Sequence, residues 1–239
     1  MALVVYIKAK PKAKGFSLNK KTERYFLGVL SLIGFTAIIF AIYPYFSWRL
    51  KTLPKLTAKI EQAPVPTGQV LSSGTIENTN VQVVQDPDGF SYFTTDYKPQ
   101  SPRPNEFTIS IPKLKIEGAL AKVDTLRFDS NLSHFPGSAI PGQVGNSFVT
   151  GHSVLPQFND PQNYRAIFSK LPDLEVGDEV IVEIEGKKLN FVVQYAKVVD
   201  PRDLSVLSPI SQNSRSLTLM TCVPPGTNLK RLVVVTSLI

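Results

Sequence analysis

The sequence predicts a mainly β domain, a closed barrel or a sandwich, that follows a single N-terminal membrane helix. Residues 25–46 are uncharged and mostly apolar, whereas residues 48–105 are rich in Pro, Thr, Ser, Gln and Asn and show no sustained period. From residue 106 to residue 239, short β-like runs follow one another at close spacing between turn residues. Many short strands of this kind are typical of barrels and sandwiches.

The N-terminal apolar segment is long enough to cross a bilayer as one helix. Its 22 residues cover about 33 Å as a helix, and a hydrocarbon core is about 30 Å thick. The alternatives are a buried core helix and a cleaved signal peptide, but the run exceeds the apolar part of a signal peptide and no small-x-small pattern follows it. We therefore assign residues 25–47 to a transmembrane signal anchor, with Tyr43, Tyr45 and Trp48 at the membrane interface.

The distribution of charge predicts how this anchor is oriented. Seven Lys and Arg residues precede the span and four follow it up to residue 59, so the positive-inside rule places residues 1–24 in the cytoplasm as a basic tail and the rest outside. Residues 1–59 carry eleven basic residues and one acidic residue, while the remainder carries fifteen and eighteen. The net charge of +7 therefore belongs to the membrane flanks and does not indicate nucleic-acid binding.

Residues 48–105 are expected to form an extracellular linker. Pro-rich stretches at 64–68 and 99–104 favour an extended spacer between the membrane and the β domain. One short strand is expected at 81–84, and we predict no further structure in this segment.

Seven strands and one helix are predicted in the domain of residues 106–239. The strands are expected at 107–111, 116–123, 147–150, 179–185, 189–199, 217–221 and 232–236. The helix is expected at 164–171, where Ile167 and Leu171 are four residues apart and Pro172 ends the segment. A domain of this size can bury a core without disulfides or metals.

Cys222 is the only cysteine in the chain, so it cannot form an internal disulfide or, by itself, a cysteine-rich metal site. It can be a buried inert side chain, an intermolecular partner or a nucleophile. Its position favours a nucleophile, because an apolar run ends at Cys222 and a Pro-Pro-Gly turn follows at once. Arg231 opens the next β-rich run, and a hairpin between the two runs would bring Cys222 and Arg231 close together.

The two histidines of the chain, His134 and His152, lie in one loop-rich stretch. His152 follows a short predicted strand that ends at Gly151, and such strand-to-loop edges often carry catalytic groups. A cysteine nucleophile reacts as its thiolate, and a neighbouring protonated His or Arg favours that form. The histidine can then protonate the leaving amine. The sequence alone does not establish that His152 meets Cys222 in the fold.

Three short motifs, in this order, resemble those of the sortase family of bacterial cysteine transpeptidases. They are Thr-Gly-His at 150–152, Thr-Leu-Met-Thr-Cys at 218–222, and Arg231 nine residues after the cysteine. The segments 134–146 and 174–180 also match the family, and the resemblance covers residues 106–239 with a membrane anchor and linker in front, as is usual in sortases. It implies a closed β-barrel of about seven to eight strands with one or two short helices.

The resemblance also implies a role for each matched residue. Cys222 would attack the carbonyl of a sorting-signal peptide and form a thioacyl enzyme. His152 would protonate the departing amine and deprotonate the incoming one, and Arg231 would hold the substrate backbone or the developing oxyanion. Thr221 and His134 are candidate substrate-binding residues, His134 without a part in proton transfer. Thr221, like its neighbour Thr218, is expected mainly to shape the strand.

The function implied is that of a membrane-anchored sortase. Such an enzyme cleaves a C-terminal sorting signal and transfers the protein to an amine of a cell-wall precursor or a pilin lysine. No cofactor and no metal site are expected. The alternative is a calcium site formed by the acidic residues of one turn, which are otherwise solvated: Asp173, Glu175, Asp178 and Glu179. The Asp-Pro-Asp-Gly-Phe segment at 86–90 resembles the aspartate-aromatic lid of pilin-polymerising sortases, although this segment is also a common turn.

Two other classes of protein are alternatives. The L,D-transpeptidases hold their His, Gly, Cys and Arg within one short segment, whereas His152 and Cys222 are 70 residues apart here, which argues against that class. The second alternative is a non-enzymatic, membrane-tethered β domain that presents a binding surface. It requires an unreactive Cys222, so thiol alkylation distinguishes it from an enzyme.

Overall fold

The computed structural model of the chain describes residues 19–47, 50, 80–85 and 91–239. Residues Lys20–Ser47 form one helix, α1. Its stretch Arg24–Tyr43 is long and apolar enough to cross a membrane, in agreement with the span predicted from the sequence. Trp48, which is expected at the membrane interface, lies outside the described residues.

Eight strands close into a barrel, which confirms the predicted fold class. The strands of the chain are β1 Val81–Gln85, β2 Ser91–Thr95, β3 Glu106–Ile111, β4 Ile116–Lys122, β5 Leu132–His134, β6 Gly145–Thr150, β7 Glu179–Ile184, β8 Lys187–Val199, β9 Arg215–Val223 and β10 Lys230–Leu238. The barrel order is β10-β8-β7-β3-β4-β5-β6-β9. The pairs β4–β5 and β6–β9 are parallel, and the other neighbours are antiparallel. Closure leaves these eight strands without an unpaired edge.

Two apolar clusters lie on opposite sides of β9 and β10. The larger one takes side chains from all eight barrel strands and fills the barrel. The smaller one, called the outer cluster below, lies on the outside and contains Phe93, Phe135, Phe148, Val206, Leu207, Met220, Val233 and Val235. Successive side chains of a strand point to opposite faces, so Leu219 belongs to the barrel core and Met220 to the outer cluster.

The segment expected to be a linker contains a hairpin of β1 and β2. The strand predicted at 81–84 is confirmed by β1, but β2 corrects the expectation of no further structure. Phe93 of β2 packs edge-on against Phe135 and at a tilt against Phe148. The reason for the error is that β2 is short, and its Phe93 packs on residues far away in the sequence.

The helix predicted at 164–171 is wrong. This segment forms turns and then a short 3₁₀ helix, Leu171–Asp173. The backbone N–H of Phe168 donates to the carbonyl of His152 at 3.0 Å instead of to a carbonyl in its own segment. Ile167, Phe168 and Leu171 are all buried in the barrel core. The spacing of Ile167 and Leu171 thus reflects burial in turns, and the tertiary bond replaces a helical one.

The other short helices in the described residues are also of the 3₁₀ type. They are Pro112–Leu114, Pro156–Phe158 and Leu204–Leu207. All seven strands predicted within 106–239 are present, whereas β5 was missed because it has only three residues. β5 nevertheless completes the ring, since it pairs with β4 on one side and with β6 on the other.

Candidate active site

The alternation of side chains directs the predicted site residues to the outer face of the barrel. β9 lies between β6 and β10 in the sheet. Met220 of β9 and Val233 of β10 both belong to the outer cluster. Side chains two residues apart share a face of a strand, so Cys222 and Arg231 project to the same side as Met220 and Val233.

Cys222 and Arg231 are direct partners in the register of β9 and β10, which confirms the hairpin predicted from the sequence. The side chain of Arg231 is only 2% exposed. Its Nη1 donates to the carbonyls of Asn228 at 3.1 Å and Lys230 at 3.2 Å, and its Nη2 donates to the carbonyl of Ser91 at 2.7 Å. These bonds hold a planar cation in a fixed orientation beside the thiol.

His152 is brought to Cys222 by the parallel pairing of β6 and β9. Thr150 is the register partner of Met220, so the segment that carries His152 leaves β6 alongside the part of β9 that carries Cys222. Three hydrogen bonds continue this alignment past the end of β6. The N–H of Gly151 donates to the carbonyl of Met220 at 3.1 Å, and the hydroxyls of Thr221 and Ser153 donate to the carbonyls of Gly151 at 2.8 Å and Cys222 at 2.7 Å.

Gly151 is the residue that permits this close approach. A Cβ at this position would lie 2.6 Å from the ring of Phe168 and 2.8 Å from a methyl of Leu132. Both neighbours are buried in the barrel core and have no room to move. The glycine of the Thr-Gly-His segment is therefore required by packing, immediately before the histidine.

A cavity of about 310 Å³ opens in front of Cys222 and Arg231. Its walls are mostly apolar. The other residues that line it are Ser91, Tyr92, Phe93, Leu126, Phe128, Ser133, Phe135, Phe148, Thr150, Gly151, Met220 and Thr221. His152 does not line the cavity. Its ring packs on the ring of Phe128, and Phe128 does line the cavity. Such a cavity suits an extended peptide with apolar side chains.

Burial opposes ionisation of both reacting groups. It raises the pKa of the Cys222 thiol, and the charge of Arg231 offsets only part of this effect. Burial also lowers the pKa of His152, while Asp129 opposes that shift and Arg165 adds to it. The resting site therefore holds a neutral thiol and a neutral imidazole, although we expected its neighbours to favour the thiolate.

The structure places Thr221 and Thr218 as residues that shape the strand. The Thr221 hydroxyl donates to the Gly151 carbonyl, and the Thr218 hydroxyl donates to Asn146 Oδ1 at 2.8 Å. Both side chains are almost fully buried. Thr221 also lines the cavity.

His134 is placed away from the cavity. Its side chain is 0% exposed, and its Nε2 lies 3.0 Å from both the carbonyl of Ala139 and the hydroxyl of Ser138. Its Nδ1 lies 3.9 Å from Asp124, which forms an ion pair with Arg103 at 3.0 Å. Because no surface of the imidazole is available to a bound peptide, the expected substrate contact is not supported.

The acidic turn considered for calcium already contains a cation. Lys113 Nζ lies 3.0 Å from the carboxylate of Glu175 and 2.8 Å from that of Asp178. Within the described part of the chain, no group of three His, Cys, Asp or Glu side chains is arranged to hold a metal ion. Residues 86–90, where a lid is expected, lie outside the described residues.

Two distant segments contribute site residues that the sequence motifs do not predict. The hairpin brings Ser91 and Tyr92 to the cavity, and the loop between β4 and β5 brings Phe128 to the cavity and Asp129 to His152. No periodic pattern marks these residues, since Ser91 and Tyr92 lie in a five-residue strand and Phe128 and Asp129 lie in a loop. Only the folded arrangement identifies them.

Comparison with known proteins assigns the family. Residues 109–239 match the family model of the sortase domain. Similar solved structures include a lid mutant of sortase A from Corynebacterium diphtheriae, with 30% identity over 59% of this chain and 73% of that chain and a TM-score of 0.49. Sortase C-1 from Actinomyces oris has 26% identity over 56% and 73% of the two chains and a TM-score of 0.48. A search of curated protein sequences finds no match. The family model covers more than half of the chain, which therefore belongs to the sortase family.

Proposed function

We propose that this protein is a membrane-anchored cysteine transpeptidase that cleaves a C-terminal sorting signal and joins the new acyl end to an amine. The observation that carries the proposal is the pairing of Cys222 with Arg231, next to the strand end that bears His152, in front of one cavity. These three side chains supply a nucleophile, a fixed cation and a proton carrier, which are the groups that acyl transfer needs.

In the first half of the reaction, the Cys222 thiolate attacks the scissile carbonyl and forms a tetrahedral oxyanion. His152 gives its proton to the departing amine as the carbon–nitrogen bond breaks, and a thioester to Cys222 remains. In the second half, an acceptor amine attacks the thioester. His152 takes a proton from that amine, an amide bond forms, and the thiolate of Cys222 is regenerated.

Arg231 would stabilise the oxyanion by charge and by directed hydrogen bonds. Its Nη2 already donates to a peptide carbonyl, that of Ser91, so the guanidinium is oriented to bind a carbonyl oxygen. A substrate carbonyl that takes the place of Ser91 would lie next to Cys222, the register partner of Arg231.

The reactive form is the ion pair of thiolate and imidazolium. Because the pKa of Cys222 is raised and that of His152 is lowered, this form is a minor species at every pH. The activity is therefore expected to follow a bell-shaped pH profile, with an acid limb from His152 and an alkaline limb from Cys222.

The charge distribution supports a location at the cell membrane. With residues 1–24 in the cytoplasm and α1 in the membrane, the barrel lies outside the cell, where surface proteins and cell-wall amines are available. The partners proposed are proteins with a sorting signal, and as acceptor either a cell-wall precursor or a pilin lysine. No cofactor takes part in the proposed steps.

The proposal is tested with the full chain in detergent, a library of sorting-signal peptides and both types of amine. The wild-type protein is expected to form a thioacyl adduct on Cys222, detected by intact mass, and to release an amide product when an amine is added. Cys222→Ala should form neither and should keep its circular dichroism spectrum. A Cys222→Ala protein with full transfer activity would refute the proposal.

The non-enzymatic alternative predicts a different result in a simpler experiment. A merely structural thiol would hardly react with an alkylating reagent in the folded protein at any pH. The proposed nucleophile lines an open cavity, so its alkylation rate should rise with pH as the thiolate forms, with a midpoint above the ordinary pKa of cysteine.

A further inference from the structure

The loop between β4 and β5 contacts the imidazole of His152 with two side chains. The ring centroids of Phe128 and His152 are 4.2 Å apart, and the planes of the rings are inclined by 42°. Oδ1 of Asp129 lies 3.7 Å from Nε2 of His152. The imidazole is thus bounded by an aromatic face and has a carboxylate at one of its nitrogens.

We infer that Phe128 and Asp129 are positioning residues for His152, in which the phenyl ring holds the plane of the imidazole and the carboxylate stabilises its protonated form. The inference rests on the proposed function for the part that His152 plays in transfer. A proton carrier works best when its ring has one orientation and its charged form has a partner of opposite charge.

The contact between Asp129 and His152 acts through charge. A separation of 3.7 Å is longer than a hydrogen bond, but it is within the range of an ion pair. The side chain of Asp129 is 72% exposed and that of His152 is 35% exposed, so water screens the pair. We therefore expect an effect of a few fold on the population of imidazolium, and not the large effect of a buried carboxylate.

The loop that carries Asp129 is held in place by other residues. Nδ2 of Asn131 donates to the carbonyl of Arg127 at 2.9 Å and to that of Leu132 at 2.8 Å. Asn131 is itself buried. Replacing the exposed carboxylate of Asp129 should therefore change the charge at His152 and leave the loop intact.

The charges around His152 come from several segments and differ in sign. Asp129 of the β4–β5 loop raises its pKa, whereas Arg165 of the turn segment lowers it, and burial lowers it most. On the neighbouring strands lie Cys222 and its register partner Arg231. Asp129 and Arg165 are thus two surface residues of opposite charge whose removal should move the pKa of His152 in opposite directions.

The kinetic consequence has a distinctive form. The reactive ion pair is most abundant between the pKa values of His152 and Cys222, where its fraction depends on the difference between them. If the pKa of His152 falls by about one unit, the plateau of kcat/KM falls about tenfold and the acid limb moves about one unit lower. At pH values below the acid limb, kcat/KM stays the same, because the lower plateau and the lower pH of the limb have opposite effects of equal size there.

The first experiment uses the full chain and does not depend on activity. The imidazole signals of the two histidines are followed by NMR against pH, and His134→Gln identifies which signal belongs to His152. Asp129→Asn is expected to lower the pKa of His152 by about half a unit, the effect of an exposed ion pair. Arg165→Gln should raise it. Glu117→Gln, which removes an exposed acid of β4, is the matched control and should leave it unchanged.

The second experiment measures kcat/KM against pH in the same variants. Asp129→Asn should lower the plateau about threefold and move the acid limb down by about half a unit, with unchanged rates at low pH. A plateau that falls without a shift of the limb would mean a structural effect and would overturn the role of Asp129. Phe128→Ala should lower kcat, and Phe128→Tyr, which keeps the ring, should restore it. If Tyr does not restore kcat, the role of Phe128 is refuted.

The two experiments separate failure of this inference from failure of the proposed function. If the wild-type protein shows no Cys222-dependent transfer, the proposed function fails, and the NMR titration still decides whether Asp129 stabilises the imidazolium. If the pKa of His152 is the same in wild type and Asp129→Asn, the inference about Asp129 is wrong, even in a fully active sortase.

Discussion

At the scale of single residues, the site depends on a buried cation, Arg231, beside the thiol. Arg231 is held by three carbonyl oxygens, from Asn228, Lys230 and Ser91. A buried charge costs free energy unless its polar atoms are bonded, and a planar guanidinium can bond three carbonyls in fixed directions. The Arg231 guanidinium is therefore preorganised beside Cys222 before any substrate binds.

Replacing Arg231 by Lys tests whether turnover depends on the directed hydrogen bonds of the guanidinium or only on its positive charge. Lys keeps the charge but loses the planar fork, so Arg231→Lys is expected to lose turnover by about 10²-fold or more, comparable to the loss of an oxyanion donor. The alkylation rate of Cys222 should change less, since a positive charge remains beside the thiol. Both rates are measured on one preparation.

Arg215→Lys is the matched control for this experiment, because Arg215 is an exposed arginine at the start of β9. It should have the turnover of the wild-type protein. Wild-type turnover in Arg231→Lys itself would contradict the role assigned to the guanidinium.

At the scale of elements, the β1–β2 hairpin covers the site. Ser91, Tyr92 and Phe93 line the cavity, and the carbonyl of Ser91 accepts a hydrogen bond from Arg231. The hairpin is attached to the barrel through Phe93, which packs on Phe135 and Phe148. A two-stranded hairpin is barely stable alone, so it depends on these contacts, to which Val81 and Val83 of β1 add by packing on the outer cluster.

Phe93→Ala is expected to release the hairpin and leave the barrel folded, because the barrel core is a separate cluster. Removing a buried phenyl ring costs about 3–5 kcal/mol, more than an isolated hairpin can supply. The alkylation rate of Cys222 should therefore rise. Phe158→Ala removes an exposed ring and is the control. Equal alkylation rates in the two variants would show that the hairpin does not restrict access to the thiol.

The elements also show which parts of the fold follow from local patterns. Strands such as β3 were predicted because alternation of apolar side chains requires only a few neighbouring residues. The segment 164–171 was misjudged because its backbone donates across the domain to His152, which a local pattern cannot reveal. The Cys222–Arg231 pair was predicted correctly, since a hairpin joins these residues only nine positions apart.

At the scale of the whole molecule, a polar network joins three segments that are separate in the sequence. Arg103 pairs with Asp124 and donates to the carbonyl of Ser138, and His134 contacts Ser138 and Ala139. Burial lowers the pKa of His134 to about 4, against the smaller opposing effect of its bond to Ala139. The folded protein therefore keeps this imidazole neutral.

The stability of the barrel should fall in acid because of His134. Its pKa is about 4 in the folded protein and about 6.5 in the unfolded chain, so the unfolded chain binds more protons between these pH values. The contribution of the neutral imidazole is complete above pH 6.5 and is lost as the pH falls towards 4, by about 3 kcal/mol in total.

Urea unfolding of wild type and His134→Gln from pH 4 to 7 measures this effect. His134→Gln should be the less stable protein at pH 7. The difference in the free energy of unfolding between wild type and His134→Gln should become smaller as the pH falls. His152→Gln is the comparison, because His152 is partly exposed and its pKa is lowered by burial to a smaller extent, so the difference for His152→Gln should change less. If the difference in the free energy of unfolding between wild type and His134→Gln does not change with pH, the prediction is contradicted.

The sequence by itself determined the apolar helix that is long enough to cross a membrane, the β class of residues 106–239 and the pairing of Cys222 with Arg231. Each of these depends on composition or on residues close together in the chain. Only the tertiary structure decided that the segment of His152 runs alongside the strand of Cys222, because the parallel pairing of β6 and β9 joins residues 70 positions apart. The same holds for the docking of Phe93 and for the contact of Asp129 with His152. Long-range strand pairing and packing set these distances, and no local pattern encodes them.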